Sequence, residues 1–530
     1  MNRLRLLTAL LASVCASAAF AQSHGPVEVS GAVQQDTLGS LRDVKVNPAD
    51  YHKMKARAEH DIPLPHVPDN QLDGALQGSG TQSVFAPTFG SDVLGVGNGF
   101  PGFTVQYAPP DTVGAVGASQ YVQVVNVGFA VFDKTTKNRV YGPVPTSTLW
   151  AGFGGGCQTN NDGDATVVYD KAANRWVVSQ FSVSTTPYLQ CVAVSQSSDA
   201  TGAWNRYAFS YGNTAFPDYP KTGVWPDGYY TTFNIFNNGS TFGGAKLCAY
   251  DRNAMIAGAP ATQQCFQLST SYGGVLPSDL DGATQPDAGT PNYMLNFGSN
   301  SLNLWKFHVN WTTPASSTLI GPTSIPVSPF APACGGGTCI PQGGVSQKLD
   351  SLADRLMYRL AYRKFSDHES LVVTHSVNPN GSTKNPKQQS AAVRWYEIRN
   401  PGGTPTVFQQ STYVGSPADS NFRWMGSIAM DKQGNAALGY SVSSSTLKPS
   451  IRYTGRLASD PLSTMQAEAT IVAGGGSQTG SNLSRWGDYS AMTVDPVDDC
   501  TFWYTTEYLT ANGAFNWSTR IGSFKFSGCN

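Results

Sequence analysis

The chain has 530 residues, with 34 Lys plus Arg against 35 Asp plus Glu and a formal net charge of −1. That balance gives no pull toward nucleic acid or an anionic membrane surface, so no nucleic-acid partner is expected. Charged residues make up 13% and aromatics 11%, beside 55 Gly and 33 Pro, which argues against long helices and for a turn-rich, all-β protein.

Residues 1–21 place Arg3 and Arg5 ahead of an apolar run from Leu6 to Val14, then Ala19-Phe20-Ala21 before Gln22, the layout of a signal peptide. The product is therefore expected to be secreted, extracellular or periplasmic. No later apolar run reaches the roughly 20 residues that span a bilayer, so no transmembrane segment is expected. Beyond the signal, Cys157, Cys191, Cys248, Cys265, Cys334, Cys339, Cys500 and Cys529 form an even set. In an exported chain this predicts disulfide bonds, here between neighbours in sequence order. Residues 22–78 hold four of the seven His and crowd charge at 51–61 (YHKMKARAEHD), with a Pro-containing stretch after it. They read as an N-terminal arm, either a pro-segment or docking arm or a partly disordered exported leader.

Residues 79–530 repeat weakly, every roughly 50 to 65 residues. The unit is a short apolar strand, a turn with Asp, then a strand rich in aromatic and β-branched residues. Copies begin near Thr112, Ala165, Lys221, Gly282, Arg355, Gly426 and Tyr489. The spacing predicts a seven-bladed β-propeller. The last copy is one strand short, and an open propeller leaves unpaired edges, so residues 81–87 (TQSVFAP) are expected to complete it while Cys500 bridges Cys529. Asp170, Asp227, Asp287, Asp431 and Asp495 recur in the turns, where a side chain that bonds its own turn is reason enough for Asp.

Ser198-Asp199-Ala200-Thr201-Gly202-Ala203-Trp204 resembles the Asp-box of sialidase-like propellers, S-x-D-x-G-x-x-W, with one extra residue between Asp and Gly. The runs WGDYS, DDCTFWYT and SIRYTGR are similar to those of secreted bacterial propeller proteins. The resemblance implies architecture. Such folds host glycosidases, polysaccharide lyases and plain binding proteins, so it only points toward carbohydrate.

In a propeller the loops entering the innermost strands converge on one rim. That filter selects Asn160-Asn161-Asp162-Gly163-Asp164, Asp218-Tyr219-Pro220-Lys221, then Lys348, Asp350 and Asp354, then Arg423-Trp424, and finally Arg485-Trp486-Gly487-Asp488-Tyr489. Asp164, Asp218 and Asp488 are the candidate catalytic carboxylates. Tyr219, Arg423, Trp424, Arg485 and Trp486 are the candidate substrate-binding residues, since aromatic faces stack on sugars and Arg pairs with sugar carboxylates. The same residue types would equally serve to pair and pack blades. Asp162 and Asp164 also suit a Ca²⁺ loop, although the later acidic ligand of an EF-hand is missing; no cofactor is required.

The expected function is a secreted, carbohydrate-active propeller, a glycoside hydrolase on an extracellular polysaccharide or glycoconjugate, anionic ones included, working as a monomer. The first alternative is a polysaccharide lyase using Tyr358, Arg359, Tyr362, Arg363 and His375, and the second a non-catalytic adhesin that binds glycan or protein. Glu507, at the end of TFWYTTEY, is the most aromatic-flanked Glu but has no assigned place. No G-x-S-x-G, H-E-x-x-H, P-loop or G-x-G-x-x-G motif is present, leaving serine-hydrolase, zincin and nucleotide-binding readings without residue support.

Overall fold

A computed structural model describes residues 25–46, 55–56, 60–68, 70–78, 87–382, 385–415, 419–481 and 483–530. The signal expected at residues 1–21, and residues 81–86 of the expected closing strand, lie outside these. The fold is all-β, with helix confined to single turns such as Gly155–Thr159 and Arg252–Ala257.

Consecutive stretches of chain form antiparallel meanders, the first six with four strands in sequence order and the last with three that an N-terminal strand completes. The first starts at Val113–Val116, the second at Thr166–Asp170, the third at Ala215–Trp225 and the fourth at Leu276–Asp281. The fifth starts at Met357–Lys364, the sixth at Phe422–Met430 and the seventh at Ala491–Val494. Each of these opening strands contacts the opening strand of the next sheet, and that of the seventh contacts that of the first, so they line a closed ring. Between the fourth and fifth sheets the contact is close enough for parallel pairing, Ser278 opposite Leu360 through Asp281 opposite Arg363.

The ring explains the patterning. A strand between two packed sheets has no solvent face, and Leu189–Ser195 is buried at every position. Polar residues in such strands must satisfy one another. Thr166 Oγ1 shares bonds with Ser179 Oγ (2.8 Å) and Thr222 Oγ1 (3.1 Å), and Thr222 with Thr231 (3.0 Å), a polar seam joining the second and third sheets.

The seventh sheet is closed from the N-terminal side, by Pro87–Leu94 pairing antiparallel with Trp517–Phe526. An N-terminal strand thus closes the sheet as expected; of the expected residues 81–87, Pro87 lies in it and the others fall outside the described residues. Earlier residues add further outer strands: Gln34–Leu38 on the second sheet and Glu28–Gly31 on the third. Disulfides join Cys157 to Cys191, Cys248 to Cys265, Cys334 to Cys339 and Cys500 to Cys529, the expected neighbour order.

Turn chemistry follows the repeat. Asp431 accepts from Gln433 N and Asn435 N, Asp495 from Val497 N, and Asp170 from Ala173 N. Asp199 of the Asp-box-like turn accepts from Thr201 N (3.0 Å), and Trp204 is buried with Nε1 donating to Ala200 O (3.1 Å). That motif is a hairpin clasp.

Candidate functional site

The entries to the ring-lining strands share an unusual backbone. Asp111, Asp164, Tyr219, Met425 and Asp488 stand at or just before the point where ring pairing begins, with φ of 48°, 45°, 55°, 53° and 59°. Side-chain-bearing residues avoid this left-handed region, and such strain, on the order of 1–3 kcal/mol per residue, gathers where the fold over-determines the backbone. At Tyr219 and Met425 the conformation sits in a register shift, between Asp218 and Lys221 and between Trp424 and Ser427. The result is a repeated corner that brings loop side chains to one rim.

Tyr489 Oη donates to Asp164 Oδ2 (3.1 Å) and Tyr219 Oη to the Asp488 carbonyl (3.3 Å), linking the second, third and seventh sheets. The two tyrosine rings meet edge to face, 5.1 Å apart at 87°. Lys221 Nζ lies 3.1 Å from the centre of one and 3.2 Å from the other, and donates to Pro220 O (3.2 Å). From the fifth sheet, the Arg355 guanidinium covers Tyr219 at 4.3 Å and grips Asp354 through Nε (2.6 Å) and Nη2 (2.8 Å). Arg485 pairs with Asp488 through Nε and Nη2. Beneath them Gly487 N donates to Glu507 Oε2 (2.7 Å), and Asp111 N donates to Gly487 O (3.1 Å). Asp218 meets the arm: its Oδ2 lies 3.2 Å from His60 Nδ1.

These environments separate the protonation states. Burial pushes Glu507 well above the ordinary carboxyl value, opposed by the Gly487 N–H and helped by the Asp111 charge. Its Oε1 has no hydrogen-bond partner among the described residues. Burial also drives the Lys221 amine well below its ordinary value against the pull of Asp164 and Asp111. At Asp218 burial acts the other way from its neighbours and loses: the hydrogen bond and charge of His60, with Arg485 and Arg355, hold the carboxyl below its usual range.

The structure brings Asp164, Asp218, Tyr219, Arg485 and Asp488 together and leaves three expected binding residues elsewhere. Arg423 is fully buried and saturated by Asp419 (2.8 Å) and Glu468 (2.8 Å). Trp424 and Trp486 are also fully buried, their rings 6.1 Å apart, with Trp486 Nε1 donating to Ser441 Oγ (3.1 Å). Their faces are used in packing, so the expectation that Arg423, Trp424 and Trp486 hold substrate is corrected. In the 160–164 loop, Asp162 Oδ2 accepts from Val183 N (2.6 Å) and Ser184 N (2.8 Å), tying the loop to the next hairpin. Among the described residues no cluster of three His, Cys, Asp or Glu is placed to hold a metal ion.

The tyrosine and histidine unit is likewise occupied. Tyr358 Oη donates to Thr222 O (2.9 Å), Tyr362 Oη to Glu369 (2.6 Å), Arg359 to Asp279 and Asp281, and Arg363 to Asp499. His375 is buried against Phe297, Phe330 and Tyr396, and burial holds it well below the ordinary imidazole value. The base and the cations that the lyase alternative would use are thus bound inside the protein.

The sequence reading missed His60, Asp111 and Arg355 and left Glu507 unplaced. Asp111 had a signal: it precedes TVGAV as Asp164 precedes ATVVY and Asp488 precedes YSAMTV. His60 had none, because the arm stands outside the repeat.

No protein-family model matches this chain, and no curated protein does. Among solved structures it is similar to the N-terminal domain of Nup159, at 8% identity, covering 89% of this chain and 100% of that one, TM-score 0.33. It is similar to an α-L-arabinofuranosidase from Lactobacillus brevis, at 9% identity, covering 69% of this chain and 91% of that one, TM-score 0.29. It is also similar to an exo-β-1,3-galactanase from Clostridium thermocellum, at 10% identity, covering 82% of this chain and 97% of that one, TM-score 0.28. At these scores the likeness carries no argument about chemistry, which rests on the rim residues. Among the described residues no helix is long and apolar enough to cross a membrane, which says nothing of a β-barrel.

Proposed function

We propose that the chain is a secreted propeller of seven blades that hydrolyses glycosidic bonds of an extracellular polysaccharide or glycoconjugate at the ring rim. The observation that carries this reading is the convergence of Asp164, Asp218 and Asp488 from three sheets on one strained rim. Glycoside hydrolysis needs one carboxyl to protonate the leaving oxygen and one carboxylate to activate water or attack. Asp218, held ionised, suits the second role. Asp164, which accepts from the phenol of Tyr489, is the nearest further carboxyl for the first role once it has taken up a proton, and Asp488 positions Arg485.

The charge balance of the rim narrows the substrate. Among the described residues, Asp111, Asp164, Asp218, Asp350, Asp354 and Asp488 outnumber the Lys221, Arg355 and Arg485 cations beside them, and Arg355 and Arg485 are gripped by Asp354 and Asp488. A neutral or amine-bearing glycan meets less repulsion there than an anionic one. The test is a panel of neutral, cationic and acidic polysaccharides with reducing ends as readout. Product from the wild type, intact or after limited trypsin digestion, that disappears in both Asp164→Asn and Asp218→Asn supports the reading; no product from any substrate with either form overturns it. Because so many rim groups are paired inside the protein, the second reading is a glycan-binding protein without turnover, recognised by binding without product.

A further inference from the structure

We propose that residues 60–64 of the N-terminal arm form an autoinhibitory strap that lies across the rim site and must leave before the site can accept a ligand. The contact is extensive. His60 pairs with Asp218 and packs on Phe236 (ring centres 4.7 Å) and Phe216 (5.4 Å), on the third sheet. Ile62 is 5% exposed and rests on Gly273 and Gly274, where the chain enters the fourth sheet. Leu64 reaches Gly336 beside Asp354, at the entry to the fifth. Five residues thus cross three sheets along the residues that frame the site.

The path is cleared for them. A Cβ on Gly274 would stand 3.0 Å from Ile62 Cδ1, one on Gly273 3.3 Å from Ile62 Cβ, and one on Gly336 2.8 Å from Leu64 Cδ1. Gly274 and Gly336 also have φ of 58° and 94°, and a Cβ on Gly274 or Gly273 would meet Arg355 Cβ (2.8 Å) or Phe242 Cζ (3.0 Å) before the arm, so glycine here serves the turn as well as the close approach of the strap. The strap is also held from both sides. Upstream, Lys55–Ala56 pairs with Tyr107–Ala108, a few residues before Asp111, and Glu28–Gly31 and Gln34–Leu38 are built into outer sheet edges. Downstream, Asp73 forms a fully buried pair with Arg394 (2.9 Å) and accepts from Thr412 Oγ1 (2.7 Å). The strap's own polar contact is weaker, a partly exposed imidazole on a carboxylate, with Arg485 and Asp164 as the other charges facing His60. Firm anchors on either side of a crossing with a single polar contact are what a releasable cover requires, and the sequence carries Lys53, Lys55 and Arg57, residue types that trypsin recognises, just ahead of it.

The inference rests on the rim being the working site, but its test needs no substrate. Asp218 in the full mature chain is amidated with a carbodiimide and glycine ethyl ester, and its labelling rate is read by peptide mass spectrometry relative to exposed Asp367. Ile62→Asp, which puts a charge against the apolar track, is expected to raise the Asp218 rate several-fold, as is trypsin cleavage at residues 53–57. His60→Ala serves if Ile62→Asp does not fold. Equal Asp218 rates in the wild type, the cleaved protein and whichever variant retains the near-UV spectrum of the wild type would overturn the strap. An inactive protein can pass this test and an active one can fail it, so the two proposals fall separately.

Discussion

The two ends of the ring-lining strands are both ionic, and they are built differently. Toward the far end, Arg359 donates to Asp279 (2.6 Å), to both oxygens of Asp281 (2.9 and 3.2 Å) and to Met492 O (2.8 Å). Lys171 also reaches Asp281 (2.8 Å), while Arg363 clamps Asp499 and donates to Met430 O (2.9 Å). Each cation there meets a carboxylate head-on, around a cavity of about 20 Å³. At the entry rim, Lys221 lies between two aromatic rings, burial pushes Glu507 above the ordinary carboxyl value, and Asp218 takes its partner from the arm. Saturation makes a network rigid and chemically inert, whereas groups held off their ordinary pKa values by burial and by a borrowed partner can still change state. The far end is saturated, and the rim is where groups stand off their ordinary values, which is why the proposed chemistry is placed there.

The largest effect that could break this contrast is at the far end. Arg359→Leu strands Asp279 and Asp281 in the core and is expected to cost about 3–5 kcal/mol in urea unfolding. A loss below about 1 kcal/mol, within the range of an ordinary surface change, would show that the network is not structural. At the rim the loss should fall on turnover instead. Asp218→Asn is expected to lower kcat by roughly 10²–10⁴-fold with the Tm within a few degrees, and a fall in Tm matching that of Arg359→Leu would make the two ends alike.

Glu507 sharpens the comparison without touching the proposed chemistry. Its folded pKa is raised, so its favourable contribution is complete below the ordinary glutamate value and is lost as pH rises through the folded value. Glu507→Gln mimics the protonated form. It is expected to match the wild type within about 1 kcal/mol at pH 5 and to flatten the decline in stability as the pH is raised. Parallel pH profiles for the two proteins would mean that the carboxyl is not held protonated.

How far this contrast was legible in the sequence depends on what each residue packs against. The repeat showed the sheets and the rim because a propeller uses the same local pattern at every turn: apolar strand, Asp-capped turn, aromatic strand. The entry-loop filter therefore found Asp164, Asp218, Asp488 and Arg485. It misplaced Arg423, Trp424 and Trp486 because a strand entry contributes both rim-facing and core-facing side chains, and the register shift at Trp424 to Ser427 that decides which is which has no one-letter signature. Buried pairs such as Arg423 with Glu468 join residues 45 apart, and Arg394 with Asp73 residues 321 apart. Such pairings are tertiary facts, and Arg, Trp and Asp look the same in a sequence whether they face substrate or each other.

The smallest effect concerns the arm. His60 and Asp218 are 24% and 21% exposed, so solvent screening limits their pair to about 0–1 kcal/mol. Its pH window follows from the two directions. His60 is raised, chiefly by its bond to Asp218, so its part is complete below the ordinary imidazole value and is lost as pH rises through the folded value. Asp218 is lowered, so its part is present above the ordinary aspartate value and is lost as pH falls through the folded one. The pair is therefore strongest between roughly pH 4 and 6.5. The stability difference between the wild type and His60→Gln should be measurable at pH 5.5 and vanish at pH 8.5, while Arg359→Leu costs the same at both. A His60→Gln difference that ignores pH would mean that the imidazole acts through Phe216 and Phe236 rather than through Asp218, and the rim would lose the one partner that distinguishes its chemistry from that of the far end.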